Sequence, residues 1–202
     1  MTDEIIQLFD YLGTFAFAVS GALAAAEKKF DLFGGIFLGF VTAIGGGTFR
    51  DMMLGNTPVT WLHDISIFYT IVSAVILTFL FRPTIIRFPK ALFFFDTIGI
   101  SVFTIIGLQK GLHAEIHIPI AIMMGITTAV VGGIIRDVLC NEIPLIFHKE
   151  IYATACLAGG LLFVIMDIFS IHQTITIFTA AGAIFTIRTL SVRYNWTLPK
   201  FK

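Results

Sequence analysis

The sequence is dominated by apolar runs that are each long enough to cross a lipid bilayer. A helix needs roughly 20 mainly apolar residues to span the hydrocarbon core. The short linkers between the runs leave no room for a separate soluble domain. We therefore predict an all-α membrane protein of seven transmembrane helices, forming a single domain over residues 1–202. The predicted spans are 5–26, 32–54, 65–81, 91–108, 118–139, 151–169 and 172–190.

The overall composition also favours a membrane protein. Hydrophobic residues make up 57% of the chain and charged residues 13%, and the mean hydropathy is +0.94. Soluble domains carry about 25% charged residues, so a soluble fold is excluded. The net charge of zero offers no basic surface for nucleic acid. Both cysteines, Cys140 and Cys156, lie in apolar runs, and we predict that they are buried free thiols.

The distribution of basic residues predicts how the chain lies in the membrane. If the helices alternate in direction, one side receives nine lysines and arginines, and the other receives Lys110 and little else. Cytoplasmic loops are enriched in these residues. We therefore predict an N-terminus outside the cytoplasm and a C-terminus inside it. The nine residues are Lys28, Lys29, Arg82, Arg87, Lys90, Lys149, Arg193, Lys200 and Lys202.

The chain contains an internal repeat, which aligns without a gap. The motif Gly-Gly-x-x-Arg-Asp occurs at 46–51 and again at 132–137, an offset of 86 residues (132 − 46). Chance alignment of such a motif is far rarer than a chance match between two apolar segments. Further aligned pairs are Asp10 with Asp96, Gly13 with Gly99, Phe17 with Phe103, Gly21 with Gly107, Gly39 with Gly125 and Pro58 with Pro144.

Each copy of the repeat contains three predicted spans. Repeat 1 covers about residues 5–82 and repeat 2 about 91–169, while the seventh helix, 172–190, stands outside both. Because three is an odd number, the second copy must enter the membrane from the opposite face. We therefore predict two inverted three-helix repeats, an arrangement known from transporter folds.

Glycines interrupt the second and fifth spans near their middle. The second holds Gly45, Gly46 and Gly47 before Thr48, and the fifth holds Gly132–Gly133. Each glycine weakens a helix by about 1 kcal/mol relative to alanine. We predict a kink or a short unwound stretch in both helices, with the two stretches facing each other. The alternative is that these glycines only allow close helix packing.

Irregular backbone at this depth would expose polar groups to a pathway. Freed carbonyls can coordinate a cation, so a monovalent cation site is predicted at the carbonyls of Gly45, Gly46 and Gly132. No resident cofactor is predicted. Hydroxyl groups along the same spans suit weak, multi-site passage of ions, although each can instead bond a carbonyl of its own helix. They belong to Thr14, Ser20, Thr42, Thr48, Ser101, Thr104, Thr127 and Thr128.

Charged residues near a membrane span are costly and indicate function, with a partner to be identified. The topology places Asp10 and Arg50 at one side of the membrane, and their repeat equivalents Asp96 and Arg136 at the other. We predict one ion pair near each mouth. The alternative is that both arginines extend to the interface or satisfy carbonyls at their helix ends. The following aspartates, Asp51 and Asp137, either complete these clusters or face solvent.

The duplicated motif carries a family resemblance. Gly-Gly-Gly-Thr-x-Arg-Asp and Gly-Gly-x-x-Arg-Asp are each followed by a proline seven residues after the aspartate (58 − 51 and 144 − 137). In this feature and over its whole length, the chain resembles the prokaryotic branch of the trimeric intracellular cation (TRIC) channel family. Some members of this sequence group carry a glycine-transporter label.

The resemblance implies a homotrimer in the inner membrane of a prokaryote, with a pore in each protomer for potassium and sodium. It implies that helices two and five line the pore and are kinked at the glycines named above. Val131 stands where the first repeat has Gly45, so the second kink is expected to be milder. The expected partners are membrane lipid, small cations and further copies of the chain, without nucleic acid.

Two other functions stay open at this point. Inverted repeats with broken helices suit a secondary transporter of a small solute such as glycine equally well. A membrane scaffold is also conceivable, but it leaves the glycines without a role. The sequence contains no nucleophile–base set, phosphate loop or cofactor motif, so we predict that the protein is not an enzyme.

Overall fold

The computed structural model describes residues 2–85, 88, 90–147 and 151–197, and seven α-helices form most of this part of the chain. Among the basic residues used to predict the orientation, Arg87, Lys149, Lys200 and Lys202 lie outside the described residues. The helices are α1 (Thr2–Glu27), α2 (Leu32–Met53), α3 (Ile65–Ile85), α4 (Ala91–His113), α5 (Ile118–Leu139), α6 (Ala153–Ile168) and α7 (Gln173–Arg193). Short 3₁₀ turns follow α2 and α5, at Thr60–Leu62 and Leu145–Phe147.

The predicted seven-helix architecture is confirmed, and the largest difference in the bounds is at the end of α4, which is predicted at residue 108 and observed at His113. Six of the described helices are long and apolar enough to span a membrane, whereas α6 has 16 residues, about 24 Å at 1.5 Å per residue. Helix α4 continues to His113, so Lys110 lies in its last turns and not in a loop. A cation at a helix C-terminus is favoured by the helix dipole, which explains the longer helix.

Four helices form the centre of the molecule. Helix α1 packs on α2 and α4, and α5 packs on α2 and α4. The outer helices follow the repeat: α3 packs against α1 and α2, and α6 against α4 and α5. Helix α7 breaks this correspondence, because it packs mainly against α4 and α6 of the second half.

Helices α2 and α5 cross in direct backbone contact at repeat-equivalent positions. A Cβ atom on Gly46 would overlap the carbonyl oxygen of Thr128, and one on Gly132 would overlap that of Thr42. The Cβ position of Gly45 lies 3.4 Å from the Cα of Gly132. The two glycine stretches therefore face each other, as predicted, and glycine is required there because any side chain would separate the helices.

Both helices are continuous α-helix through the glycines. The predicted unwound stretch is therefore wrong, because neighbouring helices pack against the glycines and the helical hydrogen bonds persist. A kink in either helix stays a prediction. Ligation of a cation by the carbonyls of Gly45, Gly46 and Gly132 also stays a prediction, and it requires local opening of these helices.

Candidate functional site

A small cavity of about 30 Å³ opens where α1 and α2 meet, and α4 also borders it. Its wall includes Asp10 and Thr14, which are one turn apart on α1, and Gly47 and Arg50 of α2. Phe103 of α4 lies at its lining as well, and this ring stacks on Phe17 with 5.3 Å between centroids. The cavity thus reaches from the charged motif down to the glycines of α2. We call Asp10, Arg50 and Asp51 the first-half cluster.

Arg50 binds the aspartate that follows it in the sequence. Its Nε and Nη2 donate to Oδ1 of Asp51 at 2.8 and 2.7 Å, and both residues are buried. The other carboxylate oxygen of Asp51 accepts from the backbone amide and the hydroxyl of Thr60, at 2.9 and 2.6 Å. Asp51 thereby connects the end of α2 to the 3₁₀ turn that follows. It also completes the charged cluster, which is one of the two positions predicted for it from the sequence.

The predicted ion pair between Asp10 and Arg50 is not formed. Within the described part of the chain, the carboxylate of Asp10 has neither an ion pair nor a hydrogen-bond partner. The Nη1 atom of Arg50 is buried and likewise has no partner there. Asp51 satisfies two of the guanidinium nitrogens, and the third is left beside the cavity that Asp10 also lines.

Other polar residues surround the first-half cluster. The Nζ of Lys110 lies 3.8 Å from Oδ1 of Asp51. At the start of α3, Asp64 accepts from the Tyr11 hydroxyl at 3.0 Å and from the Ser66 amide at 2.9 Å. Burial acts to raise the pKa of Asp64, but these hydrogen bonds outweigh it, and the pKa lies below the ordinary value.

The second-half cluster consists of Asp96, Arg136 and Asp137, and its charged groups are paired with one another. The predicted ion pair between Asp96 and Arg136 is present, with Nη1 donating to Oδ1 at 2.8 Å. Neither side chain is accessible to solvent, each being 0% exposed. The alternative that Arg136 extends to the interface is therefore wrong. Arg136 Nη1 also donates to the hydroxyl of Ser20, which connects the cluster to α1.

Asp137 repeats the role of Asp51 in the first half. Its Oδ1 accepts from Nε of Arg136 at 2.8 Å, and its Oδ2 accepts from the backbone amide of Leu145 at 3.0 Å. Each Arg-Asp motif therefore joins its own helix end to the 3₁₀ turn that follows it. The repeat predicts that the two motifs are equivalent, and the structure identifies Thr60 and Leu145 as the turn residues that they bind.

Arg188 of α7, which was not predicted as a site residue from the sequence, is the second arginine that binds Asp96. Arg188 Nη2 donates to Oδ2 of Asp96 at 2.9 Å, and its Nε donates to the hydroxyl of Thr97 at 2.9 Å. Its guanidinium carbon lies 4.1 Å from the ring centroid of Tyr152 and 4.9 Å from that of Phe93. Arg188 is 1% exposed. A lone arginine inside an apolar span is the signal that identifies it.

The predicted hydroxyl groups mostly bond their own helices. Thr42, Thr104 and Thr128 donate to the carbonyl four residues earlier, at 2.6, 2.6 and 2.7 Å. Thr48 instead accepts from the indole nitrogen of Trp61 at 3.1 Å, and this fixes the 3₁₀ turn over α2. Thr14 lines the cavity. The hydroxyl of Thr14 can therefore contact an ion in the cavity. The hydroxyls of Thr42, Thr104 and Thr128 would first have to give up their hydrogen bonds to the carbonyls of their own helices.

The remaining predicted features are structural. Cys140 and Cys156 are both buried and free, as predicted. The Cβ position of Gly133 lies 3.1 Å from the Tyr152 hydroxyl and 3.6 Å from Oδ1 of Asp96, so Gly133 makes room for the second-half cluster. Among the described residues, no group of histidine, cysteine and carboxylate side chains has the arrangement of a metal site.

Comparison with protein families and curated sequences identifies close relatives. A family model described as "Glycine transporter" matches residues 7–83 and 93–167, which are the two halves of the chain. A UPF0126 membrane protein of Vibrio cholerae is 41% identical over 98% of this chain and 83% of its own length. The UPF0126 inner membrane protein YadS of Escherichia coli K12 is 39% identical over 98% and 96%.

Solved structures of similar proteins are TRIC channels. A TRIC trimeric intracellular cation channel orthologue from Rhodobacter sphaeroides has a TM-score of 0.88 and 35% identity, over 95% of this chain and 99% of that one. A structure described in terms of conductance through TRIC cation channels has a TM-score of 0.86 and 35% identity, with 97% of both chains covered.

These neighbours are channel proteins and not enzymes, in agreement with the sequence prediction. The fold, the duplicated Arg-Asp motif and the similarity over nearly the whole chain point the same way. The chain is therefore a multi-pass membrane protein that belongs to the TRIC family, in the sequence group that the glycine-transporter family model describes.

Proposed function

We propose that the protein is a channel for monovalent cations, potassium and sodium, with one pore in each subunit of a homotrimer. The observation that carries this proposal is the cavity that leads from Asp10 and Arg50 to Gly47 of α2. The neighbouring residue, Gly46, makes the close contact with α5. The solved relatives described as TRIC cation channels support both conduction and trimeric assembly.

The proposed pathway runs among α1, α2, α4 and α5. Asp10 and Ser20 are ten residues apart on α1 (20 − 10) and border the two clusters, so the clusters lie about 15 Å apart along the helix axis. The first-half cluster borders an open cavity, whereas the second-half cluster is a closed ion-pair network. This conformation therefore corresponds to a pathway that is open at one end.

We propose that the first-half cluster faces the outside and the second-half cluster the cytoplasm of a prokaryotic cell, in the inner membrane. The basic residues Lys28, Lys29, Arg82 and Lys90 support this orientation, because they lie at the second-half side. A cysteine added before α1 should react with an impermeant thiol reagent on intact cells, and one added after Lys202 should react only after lysis.

Electrical recording tests the proposed function. Purified protein in a planar bilayer under a potassium gradient should give discrete current steps that reverse near the potassium equilibrium potential. A carrier would instead give no steps, saturable uptake and counterflow of its labelled substrate in liposomes. Current steps with anion selectivity would contradict the proposal as well, since the pathway would then not conduct cations.

A second candidate function, transport of a small zwitterion such as glycine, has one observation in its favour. Within the described part of the chain, the cavity presents a carboxylate at Asp10 and a guanidinium nitrogen at Arg50 that have no partner. These groups could bind the ammonium and the carboxylate of an amino acid, and a site open at one end suits alternating access. Labelled-glycine counterflow in liposomes without current steps would favour this function.

A further inference from the structure

The two halves of the protein carry equivalent carboxylates in opposite states. Asp10 and Asp96 correspond in the repeat, being 86 residues apart (96 − 10). Asp10 borders the open cavity and has no ion-pair partner among the described residues. Asp96 is fully buried, and each of its two oxygens accepts from a different arginine. One of these arginines, Arg136, belongs to the repeat, and the other, Arg188, lies outside it.

The motif arginines account for part of the difference, because Nη1 of Arg136 donates to Asp96, whereas Nη1 of Arg50 has no partner among the described residues. They behave alike only toward the aspartate that follows each of them. Arg50 and Arg136 each donate from Nε to the aspartate that follows, at 2.8 Å in both cases. The additional group at Asp96 is Arg188, which belongs to α7. Helix α7 stands outside the two repeats and packs mainly on the second half. Among the described residues, Arg188 is therefore the charged group of the second-half cluster that the repeat does not supply.

The contacts of Arg188 are those of a bound cation. Its guanidinium meets the carboxylate of Asp96, the hydroxyl of Thr97 and the ring faces of Tyr152 and Phe93. A carboxylate, a hydroxyl oxygen and aromatic faces are all groups that attract a monovalent cation. The first half places the carboxylate of Asp10 and the hydroxyl of Thr14 on the same cavity, and no guanidinium forms an ion pair with Asp10 within the described residues.

The net charges of the two clusters agree with this comparison of Asp10 and Asp96. The first-half cluster and its neighbours hold three carboxylates, Asp10, Asp51 and Asp64, against Arg50 and Lys110, a net charge of −1 (2 − 3). In the second-half cluster, two arginines and two aspartates sum to zero (2 − 2). Without Arg188 the second-half cluster would also carry −1 (1 − 2).

We propose that Asp10 and Asp96 are cation-binding sites at the two ends of the pathway, and that the guanidinium of Arg188 occupies the second as a tethered cation. This inference rests on the proposed channel function. A permeating ion can reach Asp96 only when Arg188 leaves it, so α7 holds this end closed. The first half has no such helix, and Asp10 stays accessible from the cavity.

Flux of potassium into liposomes tests the role of Arg188. Arg188→Gln should raise the flux by about fivefold or more, as for removal of a typical coupling between two sites. Arg188→Lys should raise it less, because the shorter ammonium keeps the charge but cannot contact Asp96 and Thr97 together. Arg193→Gln is the matched control, since Arg193 is exposed near the end of the same helix, and its flux should equal that of wild type.

Asp10→Asn tests the equivalent site independently of α7. It should lower the flux and raise the potassium concentration that gives half-maximal flux. Asp10 has no hydrogen bond within the described structure, so its replacement should not impair folding. The matched control is Asp167→Asn, an exposed carboxylate at the end of α6, which should behave as wild type.

The outcomes separate this inference from the proposed function. A folded wild-type protein that conducts no potassium would overturn the channel proposal itself. Wild-type flux with unchanged flux in folded Arg188→Gln and Arg188→Lys would overturn the role of α7. An unchanged half-maximal potassium concentration in Asp10→Asn would overturn the assignment of Asp10 as a cation site.

Discussion

Gly46 of α2 and Thr128 of α5 meet backbone to backbone, and the same contact recurs between Gly132 and Thr42, their equivalents in the repeat. The glycines thus set how closely the two central helices approach. Close contact and a pathway are compatible here, because Gly47, one residue further along α2, already lines the cavity.

The first prediction concerns this contact. Gly46→Ala should destabilise the protein by about 1–3 kcal/mol, because the new methyl group would overlap a backbone carbonyl that cannot rotate away. Thermal unfolding in detergent measures the effect. Gly47→Ala is the control, since its Cβ would lie 3.6 Å from the nearest atom, Nη2 of Arg50, and helix propensity then favours alanine. Equal melting temperatures for the two variants would contradict the close contact.

The second prediction compares the two equivalent aspartates. Asp96→Ala should lower the free energy of unfolding by about 3–5 kcal/mol, because it leaves the guanidinium groups of Arg136 and Arg188 buried with fewer partners. Asp10→Ala should change the unfolding free energy by less than about 1 kcal/mol, since Asp10 forms no ion pair in the described structure. Chemical denaturation in mixed micelles measures both values. A similar loss in both variants would show that Asp10 has a structural partner.

The third prediction concerns pH. The pKa of Asp64 lies below the ordinary aspartate value of 3.8. Its ionised form therefore stabilises the fold fully above that value, and this stabilisation is lost as the pH falls through the lower pKa of the folded state. Asp64→Asn should consequently lose less stability than wild type on acidification through that range. Parallel acid losses in wild type and Asp64→Asn would argue against the hydrogen bonds from Tyr11 and Ser66.

Much of the fold could be predicted from the sequence, because a bilayer requires long apolar helices and the repeat requires their inversion. The ends of the helices were predicted less accurately than their number and order. Lys110 was expected in a loop, yet it lies within α4, where the helix dipole favours a cation near the C-terminus. A prediction from apolar content alone does not include this interaction of a cation with the helix dipole.

The charged clusters could be predicted only in part. Topology places Asp96 beside Arg136, and the ion pair is present. The same argument places Asp10 beside Arg50, but this pair is absent, although Asp51 binds Arg50 in the same way as Asp137 binds Arg136. Arg188 was missed because α7 lies outside the repeat, so its position against Asp96 depends on tertiary packing that no repeat-based alignment contains.

The measurement that tests the central claim most directly is current through Gly47→Cys channels in a planar bilayer, before and after a positively charged, impermeant methanethiosulfonate reagent. The native cysteines are buried, and Gly182→Cys, on an exposed position of α7 with open space around it, is the control. We expect potassium-selective current that falls irreversibly in Gly47→Cys and persists in Gly182→Cys. Unchanged current in Gly47→Cys channels that mass spectrometry shows to be labelled would contradict a pathway along α2.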